Sequence, residues 1–461
     1  MERYIECINP ATGQVWDTLK IPSAVEIEIM AAKAREAFQD WSVTPLAFRK
    51  QIVARFGELV QENLEHLAQL LTKETGKPIT QSRREIRQAD RRIRFFLDIA
   101  DRYLAPEVAY EDEKVREEIA YEPLGLIVNI SAWNYPYNIG YNVFIPALLA
   151  GNVVLYKPSE YTPHTGLEFQ DLFRSAGLPP HVFTTIIGNG QTGAYLTERI
   201  PADGYFFTGS HATGMKILEQ CRKRTVPIQL ELGGKDPAYV ANDVKDLRKV
   251  AAALADGAFY NNGQSCCAVE RIYVHTEVYT DFLKHFVQEV KGFILGDPRN
   301  ESTYIGPLTR AAQLDILERQ VADALSKGAR LLLGGKRIPR EGNWFEPTVL
   351  ADCSHQMEVM KEESFGPIIG IMGVKDDEEA INLMNDTPYG LTAAVYSSNP
   401  DRARRIMEKL NTGTVYFNMC DRVSPYVPWS GRGHSGLGLT LSYHGLRAFT
   451  RTKSYQLLKS N

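Results

Sequence analysis

Residues 24–103 carry apolar side chains at helical spacing, with few glycines or prolines between them. The apolar positions from 27 to 38 predict one helix, and those from 52 to 71 predict a second. A third helix, rich in arginine, is predicted from Thr80 to Leu104. Its basic positions between Arg83 and Arg94 are interleaved with acidic and apolar residues, which favours a solvated helix face over a phosphate-binding patch.

From Gly125 onward the pattern changes to short apolar runs that alternate with helix-like segments. Runs with the character of a buried strand lie at Leu126–Ile130, Val153–Tyr156, Val182–Ile187 and Gly204–Thr208. Further strand-like runs lie at Ala238–Val240, Arg271–Val274, Arg330–Leu333 and Ala393–Val395. Helical segments between them lie at Thr165–Ala176, Ala212–Arg222, Val278–Phe293 and Leu314–Lys327. This alternation predicts βαβ units with parallel sheets, and therefore an α/β fold. The pair Gly233-Gly234 falls between two such regions and predicts a tight turn between domains.

Composition and charge narrow the class of protein. The chain has 461 residues, enough for two or three domains, and a net charge of −4, which gives no whole-chain footprint for nucleic acid. No apolar stretch reaches the roughly 20 residues that a membrane-spanning helix needs, and no secretory signal is evident. The six cysteines are too sparse for a disulfide framework and lack C-x-x-C spacing. We therefore expect reduced thiols, no metal site and a cytoplasmic protein.

Cys266 lies in the run Gly263–Ala268 (GQSCCA) and is the first candidate for covalent chemistry. A reactive thiol needs a base, a site for an oxyanion and a reaction partner. Glu231, in the segment Glu231–Lys235 (ELGGK), offers a carboxylate. None of the nine histidines lies in a motif that points to Cys266, which argues against a cysteine hydrolase of unrelated fold. The adjacent Cys267 is interpreted as a packing thiol, or at most a modulator of oxidation.

Three segments compete as nucleotide-binding sites. Gly188–Gly193 follows a predicted strand and formally matches G-x-G-x-x-G. Phe206–Gly214 is a strand, a turn and a helix start, with small and hydroxyl residues where a helix N-terminus would meet phosphate. Lys157–Glu160 follows another predicted strand, and ligands of open α/β sheets bind at such carboxyl ends. Taken alone, each segment is more typical of turn glycines or of a solvated charge pair. Two of them together, on nearby units of one sheet, favour a nucleotide site.

Six motifs occur in the order typical of the aldehyde dehydrogenase superfamily, which the chain resembles from Asn9 to Ser454. They are Trp133–Pro136 (WNYP), Lys157–Glu160 (KPSE), Phe207–Ser210 (FTGS), Glu231–Lys235 (ELGGK), Gly263–Cys266 (GQSC) and Glu362–Pro367 (EESFGP). The resemblance implies an α/β subunit with three parts. A Rossmann-variant cofactor domain would comprise residues 1–105 and 124–233, and an α/β catalytic domain residues 234–434. A small β oligomerisation element would comprise residues 106–123 and 435–461, and the protein would form a homodimer or a homotetramer.

The resemblance also implies roles for individual residues. Cys266 would add to the carbon of an aldehyde, and the Asn134 side-chain amide with the Cys266 backbone N–H would stabilise the resulting oxyanion. Glu231 would activate the water that hydrolyses the thioester. Residues expected to contact the cofactor are Trp133, Lys157, Ser159, Glu160, Gly209, Ser210, Gly214, Glu363 and Phe365. The resemblance thereby assigns the pyrophosphate to the later turn rather than to Gly188–Gly193.

The expected cofactor is NAD, with NADP left open. Glu160 would place a carboxylate near the adenosine 2′ position, where it would repel the phosphate of NADP. The presence of Glu231 favours hydrolysis of the thioester over its release to coenzyme A, because CoA-acylating relatives commonly lack this glutamate.

The substrate is expected to be a neutral aliphatic or aromatic aldehyde. Relatives that oxidise succinic semialdehyde often carry two arginines, at positions that correspond here to Asn142 and Tyr260. Tyr135, Tyr260 and Trp429 instead predict an aromatic funnel. Asp421 is the fifth residue expected in the substrate pocket.

Two charged residues of the predicted substrate-channel loop, Asn418–Trp429, leave alternatives open for the substrate. Asp421 suits the cation of an amino-aldehyde, and Arg422 suits the carboxylate of a semialdehyde. The segment Ser430–Gly436 (SGRGHSG) departs from the superfamily pattern, in which the first position is more often Gly and the fourth Lys. Its contribution to specificity is therefore left open.

Overall fold

A computed structural model describes residues 4–459 and gives a mixed α/β fold. The helices are α1 (Ala24–Val43), α2 (Leu46–Glu62), α3 (Leu64–Thr75), α4 (Ile79–Tyr103), α5 (Pro136–Leu149), α6 (Pro163–Ser175), α7 (Gly190–Arg199), α8 (His211–Cys221), α9 (Leu247–Phe259), α10 (Thr276–Lys291), α11 (Ala312–Ser326), α12 (Asp377–Asn385), α13 (Pro400–Met407) and α14 (Ser442–Arg447). The strands are β1 (Tyr4–Asn9), β2 (Gln14–Lys20), β3 (Glu107–Glu111), β4 (Val115–Pro123), β5 (Leu126–Ile130), β6 (Val153–Lys157), β7 (Phe183–Thr185), β8 (Gly204–Thr208), β9 (Ile228–Glu231), β10 (Pro237–Val240), β11 (Arg271–His275), β12 (Arg330–Leu333), β13 (Thr348–Ala351), β14 (Ile368–Val374), β15 (Thr392–Tyr396), β16 (Thr414–Phe417), β17 (Gly436–Leu437) and β18 (Thr450–Leu458). Within this range no helix is both long enough and apolar enough to cross a bilayer.

The first sheet has six strands in the order β17-β9-β8-β5-β6-β7. Its strands β5 to β9 are parallel, and only the short β17 pairs antiparallel, with β9. The chain runs outward from β5 to β7 and then returns to β8 on the other side of β5. The strand order therefore reverses between β5 and β8, and ligands of open α/β sheets bind at such a switch point.

The second sheet has seven strands in the order β12-β13-β14-β11-β10-β15-β16. All neighbours are parallel except β12, which pairs antiparallel with β13 at one edge. Separate apolar clusters cover its two faces. Strands β5, β6, β8, β10, β11, β12 and β15 lie within one residue per end of the predicted runs. All of them are buried except β12, which is the edge strand.

A third, antiparallel sheet joins β3, β4 and β18, with β4 in the centre. Only Thr450–Leu458 of the C-terminal region joins this sheet. Residues 436–449 pack instead with the first sheet, since β17 pairs with β9 and Leu446 and Phe449 lie in its core. We therefore propose the boundary of the bridging element near residue 450 rather than 435. Residues 1–3 and 460–461 of the expected domains lie outside the described residues.

Two predictions about the helical layer are wrong. The apolar positions 52–71 belong to two helices, because Asn63 leaves helical geometry between α2 and α3 and its side chain caps the Leu59 carbonyl at 2.8 Å. The spacing continues across the break because both helices pack against the same core. The arginines of α4 do not all lie on a solvated face, because Arg92 is only 5% exposed. The predicted strand Val182–Ile187 is also shorter, at Phe183–Thr185.

A buried ion pair connects α4 to the start of α5. Lys77, before α4, pairs with Glu85 of α4, and each side chain is 1% exposed. Lys77 Nζ also donates to the carbonyl oxygen of Asn134 at 2.7 Å, and the Tyr137 backbone N–H donates to Glu85 Oε1 at 3.1 Å. Burial raises the pKa of Glu85 and lowers the pKa of Lys77, so both charges depend on these internal contacts. The pair thereby fixes the backbone of Asn134 relative to α4.

We expect Lys77→Met to lower the free energy of unfolding by about 3–5 kcal/mol, because it leaves the Glu85 carboxylate buried without a counter-charge. The double variant Lys77→Met/Glu85→Leu should regain most of this loss. Chemical denaturation followed by circular dichroism measures both effects. As a control, Arg55→Met removes an exposed pair with Glu62 and should leave the unfolding midpoint unchanged. A Lys77→Met variant as stable as the parent would contradict the structural role of the pair.

Candidate active site

A cavity of about 160 Å³ lies where α4, α5, the carboxyl ends of β8 and β9, and the loop after α9 meet. All five residues expected in a substrate pocket line it: Tyr135, Asn142, Tyr260, Asp421 and Trp429. Cys266 and Glu231 line it as well. The remaining lining residues are Arg84, Gln88, Arg92, Asn138, Ile139, Thr208, Asp256, Ser265, Cys267 and Val423.

The turn that carries Cys266 has an unusual backbone. Asn261, Asn262 and Gly263 have φ angles of 54°, 59° and 70°, three successive left-handed residues. A Cβ at Gly263 would lie 2.3 Å from the Gly366 carbonyl oxygen, so only glycine fits there. Such strain is held by the surrounding structure and concentrates at functional sites. Cys266 emerges from this turn half-buried.

Asn134 is buried beside this turn rather than in the wall of the cavity. Its side-chain amide donates to the Gln264 carbonyl oxygen at 3.1 Å, and its own carbonyl accepts from Asn261 Nδ2 at 3.2 Å. Asn134 is therefore tied to the Cys266 turn from both sides, and through its carbonyl to Lys77. The side-chain amide of Asn134 is thus held against Gln264, which lies two residues before Cys266 in sequence.

Glu231 ends β9 and is 8% exposed. Its Oε1 accepts hydrogen bonds from the Thr440 hydroxyl and from Gln229 Nε2, the latter at 3.2 Å. Burial raises the pKa of Glu231 to about 7, although both hydrogen bonds favour the charged form. A carboxyl group with such a pKa can accept and release a proton near neutral pH. Thr440 comes from the segment between β17 and α14, which sequence reasoning did not connect with the site.

A second carboxyl group, that of Asp421, contacts the two residues that flank Cys266 in sequence. The Asp421 carboxylate accepts from Ser265 Oγ and from Cys267 Sγ, each at 3.1 Å. Burial raises the pKa of Asp421 to about 6. A hydrogen bond with Cys266, together with burial, raises the pKa of Cys267 well above its usual range, so Cys267 remains a thiol. Sequence reasoning found Asp421 but missed its contacts with Ser265 and Cys267.

The residues expected to contact the adenosine half of the cofactor lie at the carboxyl ends of β6 and β8. Lys157 ends β6; its Nζ donates to the Pro158 carbonyl at 2.9 Å and lies 4.0 Å from Glu160. The buried Ser159 lies between them in sequence. Gly209 and Ser210 follow β8, and the Ser210 hydroxyl caps α8 by accepting from the Thr213 N–H.

The N-terminus of α8 is suited to an anion. Ala212 and Thr213 in its first turn are exposed, and the Ser210 hydroxyl takes up only the N–H of Thr213 there. Gly214 lets α8 pack closely against Leu232, since a Cβ at position 214 would lie 2.6 Å from the Leu232 side chain. These features fit a pyrophosphate next to the β5–β8 switch point.

The earlier glycine run has a packing role. A Cβ at Gly188 would lie 2.3 Å from Thr192 Cβ, and Asn189 caps α7 by accepting from the Gln191 N–H. Gly188–Gly193 therefore has a structural reason for its sequence.

Glu363 and Phe365 face the first sheet from the second. The Glu363 carboxylate accepts from the Gly234 N–H at 3.0 Å, and burial raises its pKa to about 8. The Phe365 ring packs edge-on against Trp133, with ring centroids 5.6 Å apart. Because Trp133 follows β5 directly, this contact lies next to the switch point between β5 and β8.

The Gly233-Gly234 pair serves close packing rather than the predicted turn. A Cβ at Gly233 would lie 2.5 Å from a carboxylate oxygen of Glu363, and one at Gly234 would lie 2.6 Å from the Cys266 carbonyl oxygen. Both glycines are therefore needed where the second domain touches the first.

Proteins of known activity match this chain over nearly its whole length. The succinate-semialdehyde dehydrogenase [NADP(+)] of Deinococcus radiodurans is 33% identical over 98% of this chain and 94% of that protein. The peroxisomal aminoaldehyde dehydrogenase 2 of Malus domestica is 33% identical over 98% of this chain and 92% of that protein.

Solved structures match over the same extent. The betaine aldehyde dehydrogenase of Staphylococcus aureus in complex with NAD+ superposes with a TM-score of 0.94 at 30% identity, covering 98% of this chain and 92% of that chain. An NADP-dependent enzyme of E. coli gives a TM-score of 0.96 at 32% identity, covering 99% and 95%. The family model described as the aldehyde dehydrogenase family matches residues 1–455. Because this match spans nearly the whole chain, the chain belongs to the aldehyde dehydrogenase family.

Proposed function

We propose that this protein oxidises an aldehyde to the carboxylic acid, with a nicotinamide dinucleotide as hydride acceptor and Cys266 as nucleophile. The observation that carries the proposal is the convergence of Cys266 and Glu231 on one cavity, with Asn134 tied to the Cys266 turn. Family membership supplies the reaction class, and these residues supply the chemistry.

In the first half of the reaction, Cys266 Sγ adds as a thiolate to the aldehyde carbon. The electron pair of the carbonyl moves to oxygen, and the Asn134 amide with the Cys266 backbone N–H stabilises that oxyanion. Buried hydrogen bonds hold Asn134 against the turn that carries Cys266, so the two donors are already close together when charge develops. When bound, the cofactor supplies the acceptor for the hydride that leaves the aldehyde carbon.

In the second half, a thioester on Cys266 is hydrolysed. Glu231 takes a proton from water as the water oxygen attacks the thioester carbon. The carbon–sulfur bond breaks, the carboxylic acid leaves and Cys266 returns to its thiolate. A base with a pKa of about 7 suits this role, because it is charged enough to accept the proton and releases it afterwards.

The cofactor would be held at the β5–β8 switch point. Lys157, Ser159 and Glu160 would hold the adenosine ribose, and Gly209, Ser210 and Gly214 would surround the pyrophosphate at the start of α8. Glu363, Phe365 and Trp133 would hold the nicotinamide half. NAD is the preferred candidate because of Glu160, although both NAD and NADP are named among the relatives.

The assembly is proposed to be a homodimer or homotetramer joined through the three-stranded sheet. Its strand β3 is exposed along its length, with Val108 and Tyr110 uncovered, and β18 ends in the exposed Leu457 and Leu458. An exposed strand edge of this kind favours pairing with another chain. All six cysteines are free, which fits a reducing compartment such as the cytoplasm.

The test of the mechanism is a rapid-mixing measurement of NADH with an aldehyde in excess. We expect Cys266→Ala to give neither a burst nor turnover, because no thioester can form. Glu231→Gln should keep a burst of about one NADH per active site and lose turnover by about 100-fold or more, because only hydrolysis needs the base.

The exposed Glu58→Gln serves as a control for the charge change and should behave as the parent. Full dehydrogenase activity in Cys266→Ala would refute the nucleophile. A Glu231→Gln variant that loses the burst as well would show that Glu231 also acts before hydride transfer. Adding coenzyme A should not increase the rate, since the thioester is released to water.

The pH dependence of hydrolysis follows from the raised pKa of Glu231. The carboxylate is the active form, so the rate should fall about tenfold per pH unit well below pH 7 and level off above it. The decay of the acyl-enzyme after the burst, measured from pH 5.5 to 9, gives this profile. In Glu231→Gln the inflection near pH 7 should disappear, and an unchanged inflection would assign it to another group.

We expect kcat/KM to be higher with NAD than with NADP, and Glu160→Gln to reduce that preference by about five- to tenfold. This magnitude corresponds to the roughly 1 kcal/mol between two unit charges 4 Å apart in water, appropriate to an exposed side chain. The matched control is Glu168→Gln on α6, a half-buried carboxylate beside His66. A clear preference of the parent protein for NADP would contradict the assignment of Glu160.

A further inference from the structure

A buried cation in the cavity feels the charges of Glu85 and Glu231 but forms no contact ion pair with either. Arg92, on α4, is 5% exposed and lines the cavity together with Cys266. Its Nε donates to the Asn142 side-chain oxygen at 2.8 Å. Within residues 4–459, no carboxylate lies within 4.0 Å of its guanidinium, and no protein acceptor binds its two terminal nitrogens.

The other buried cations near the site are satisfied. Lys77 pairs with Glu85, and Lys235 pairs with Glu270 at 2.6 Å. Arg271 donates to three backbone carbonyls. Leaving a buried charge without a partner costs stability, so Arg92 has the character of a residue retained to bind something that enters the cavity.

The nearest acidic groups have other partners. Glu85 is paired with Lys77, and Glu231 accepts from Thr440 and Gln229. Burial lowers the pKa of Arg92 only to about 10, so the guanidinium is charged at neutral pH. Its planar fork offers two parallel N–H donors, the geometry that binds a carboxylate best.

The aromatic walls do not favour a cationic substrate. Lys77 Nζ lies 4.0 Å from the centre of the Tyr135 ring, and the Arg84 guanidinium lies 5.6 Å from the centre of the Tyr260 ring. Both rings therefore already face a protein cation. On the acidic side, Asp421 accepts from Ser265 and Cys267, and Asp256 accepts from the Tyr304 hydroxyl at 2.5 Å. Each of these carboxylates therefore accepts hydrogen bonds from protein donors, whereas the terminal nitrogens of Arg92 have no protein acceptor among the described residues.

We propose that Arg92 binds the carboxylate of an ω-oxo carboxylic acid, so that the substrate of this enzyme is a short semialdehyde. Asn142 is a positioning residue that orients Arg92 through its Nε. The proposal rests on the function proposed above and selects its semialdehyde alternative over the neutral aldehyde. The aromatic side chains would then flank the methylene chain of the substrate.

The sequence prediction of a neutral aldehyde depended on the absence of arginine at positions 142 and 260. The structure has an arginine beside position 142, but it comes from a different helix. Asn142 holds that arginine instead of replacing it. The cation needed for a carboxylate is thus present at a position that the superfamily pattern does not indicate.

The test compares succinic semialdehyde with butanal, which has the same carbon chain without the carboxylate. We expect kcat/KM of the parent to favour the semialdehyde by at least about 30-fold, in the range expected for charge-assisted hydrogen bonds. Arg92→Gln should lower kcat/KM for the semialdehyde by about 10–100-fold and change that for butanal by less than about threefold. The adjacent, exposed Arg91→Gln is the matched control and should change neither.

Binding of succinate, which cannot react, gives a readout that does not depend on turnover. Calorimetric titration should show succinate binding to the parent and to Arg91→Gln, and at least about tenfold weaker binding to Arg92→Gln. Butyramide, without the charge, should bind all three proteins equally. Equal losses on both aldehydes in Arg92→Gln, a preference of the parent for 4-aminobutanal, or succinate binding that ignores Arg92 would each overturn the proposal.

The two proposals fail in different ways. If no aldehyde gives Cys266-dependent NADH while succinate still binds through Arg92, the proposed oxidation is refuted and the proposed carboxylate site is retained. If butanal is oxidised as well as the semialdehyde with a normal burst, the reaction stands and the role of Arg92 is wrong.

Discussion

The segment from Glu231 to Asp236 is the constraint on which the site depends, because it is where the chain passes from the first sheet to the second. Lys235 of this segment forms a buried ion pair with Glu270 and donates to Ser364 Oγ at 3.1 Å. Glu270 in turn accepts from the backbone N–H groups of Ser364 and Phe365, both at 3.0 Å. One buried pair therefore sets the position of the loop that carries Glu363 and Phe365. The crossing is narrow enough that Gly233 and Gly234 cannot carry side chains.

This crossing places carboxyl groups in a region of low polarity, and their environments separate their pKa values. Glu231 and Glu363 have pKa values raised to about 7 and about 8, and Asp421 to about 6. The same burial that weakens these acids strengthens every hydrogen bond aimed at a developing charge. A cavity that raises the pKa of acids also makes an unpaired cation costly, and this is why the state of Arg92 is informative.

The sequence was most informative where residues lie at the ends of strands. Lys157, Thr208 and Glu231 end β6, β8 and β9, so motif positions and strand ends coincide and the sheet brings them together. Segments without such markers were less predictable. Thr440 contacts Glu231 only because β17 returns to the first sheet, and a contact between residues 209 positions apart leaves no local signal.

Arg92 shows a limit of another kind. Its neighbours in sequence are arginines and a polar helix face, which suggested a solvated residue. Helical spacing gave the missing signal, because Glu85, Ala89, Arg92 and Phe96 fall on one stripe and all are buried. An arginine on the apolar stripe of a helix must either pair or face a cavity, and Arg92 faces the cavity.

Helix α4 connects the chemistry to the specificity of this enzyme. Glu85 holds Lys77, which holds the carbonyl of Asn134, and Arg92 follows on the same helix two turns later. Seven residues of helix span about 10 Å, so the rigid rise of α4 bounds the separation between the oxyanion donor and the proposed carboxylate anchor. Side chains on a helix lean toward its N-terminus, which directs Arg92 toward the Glu85 end of α4. Under the proposed role of Arg92, the length of the substrate depends on α4 and its buried ion pair, and not on the loop that carries Cys266.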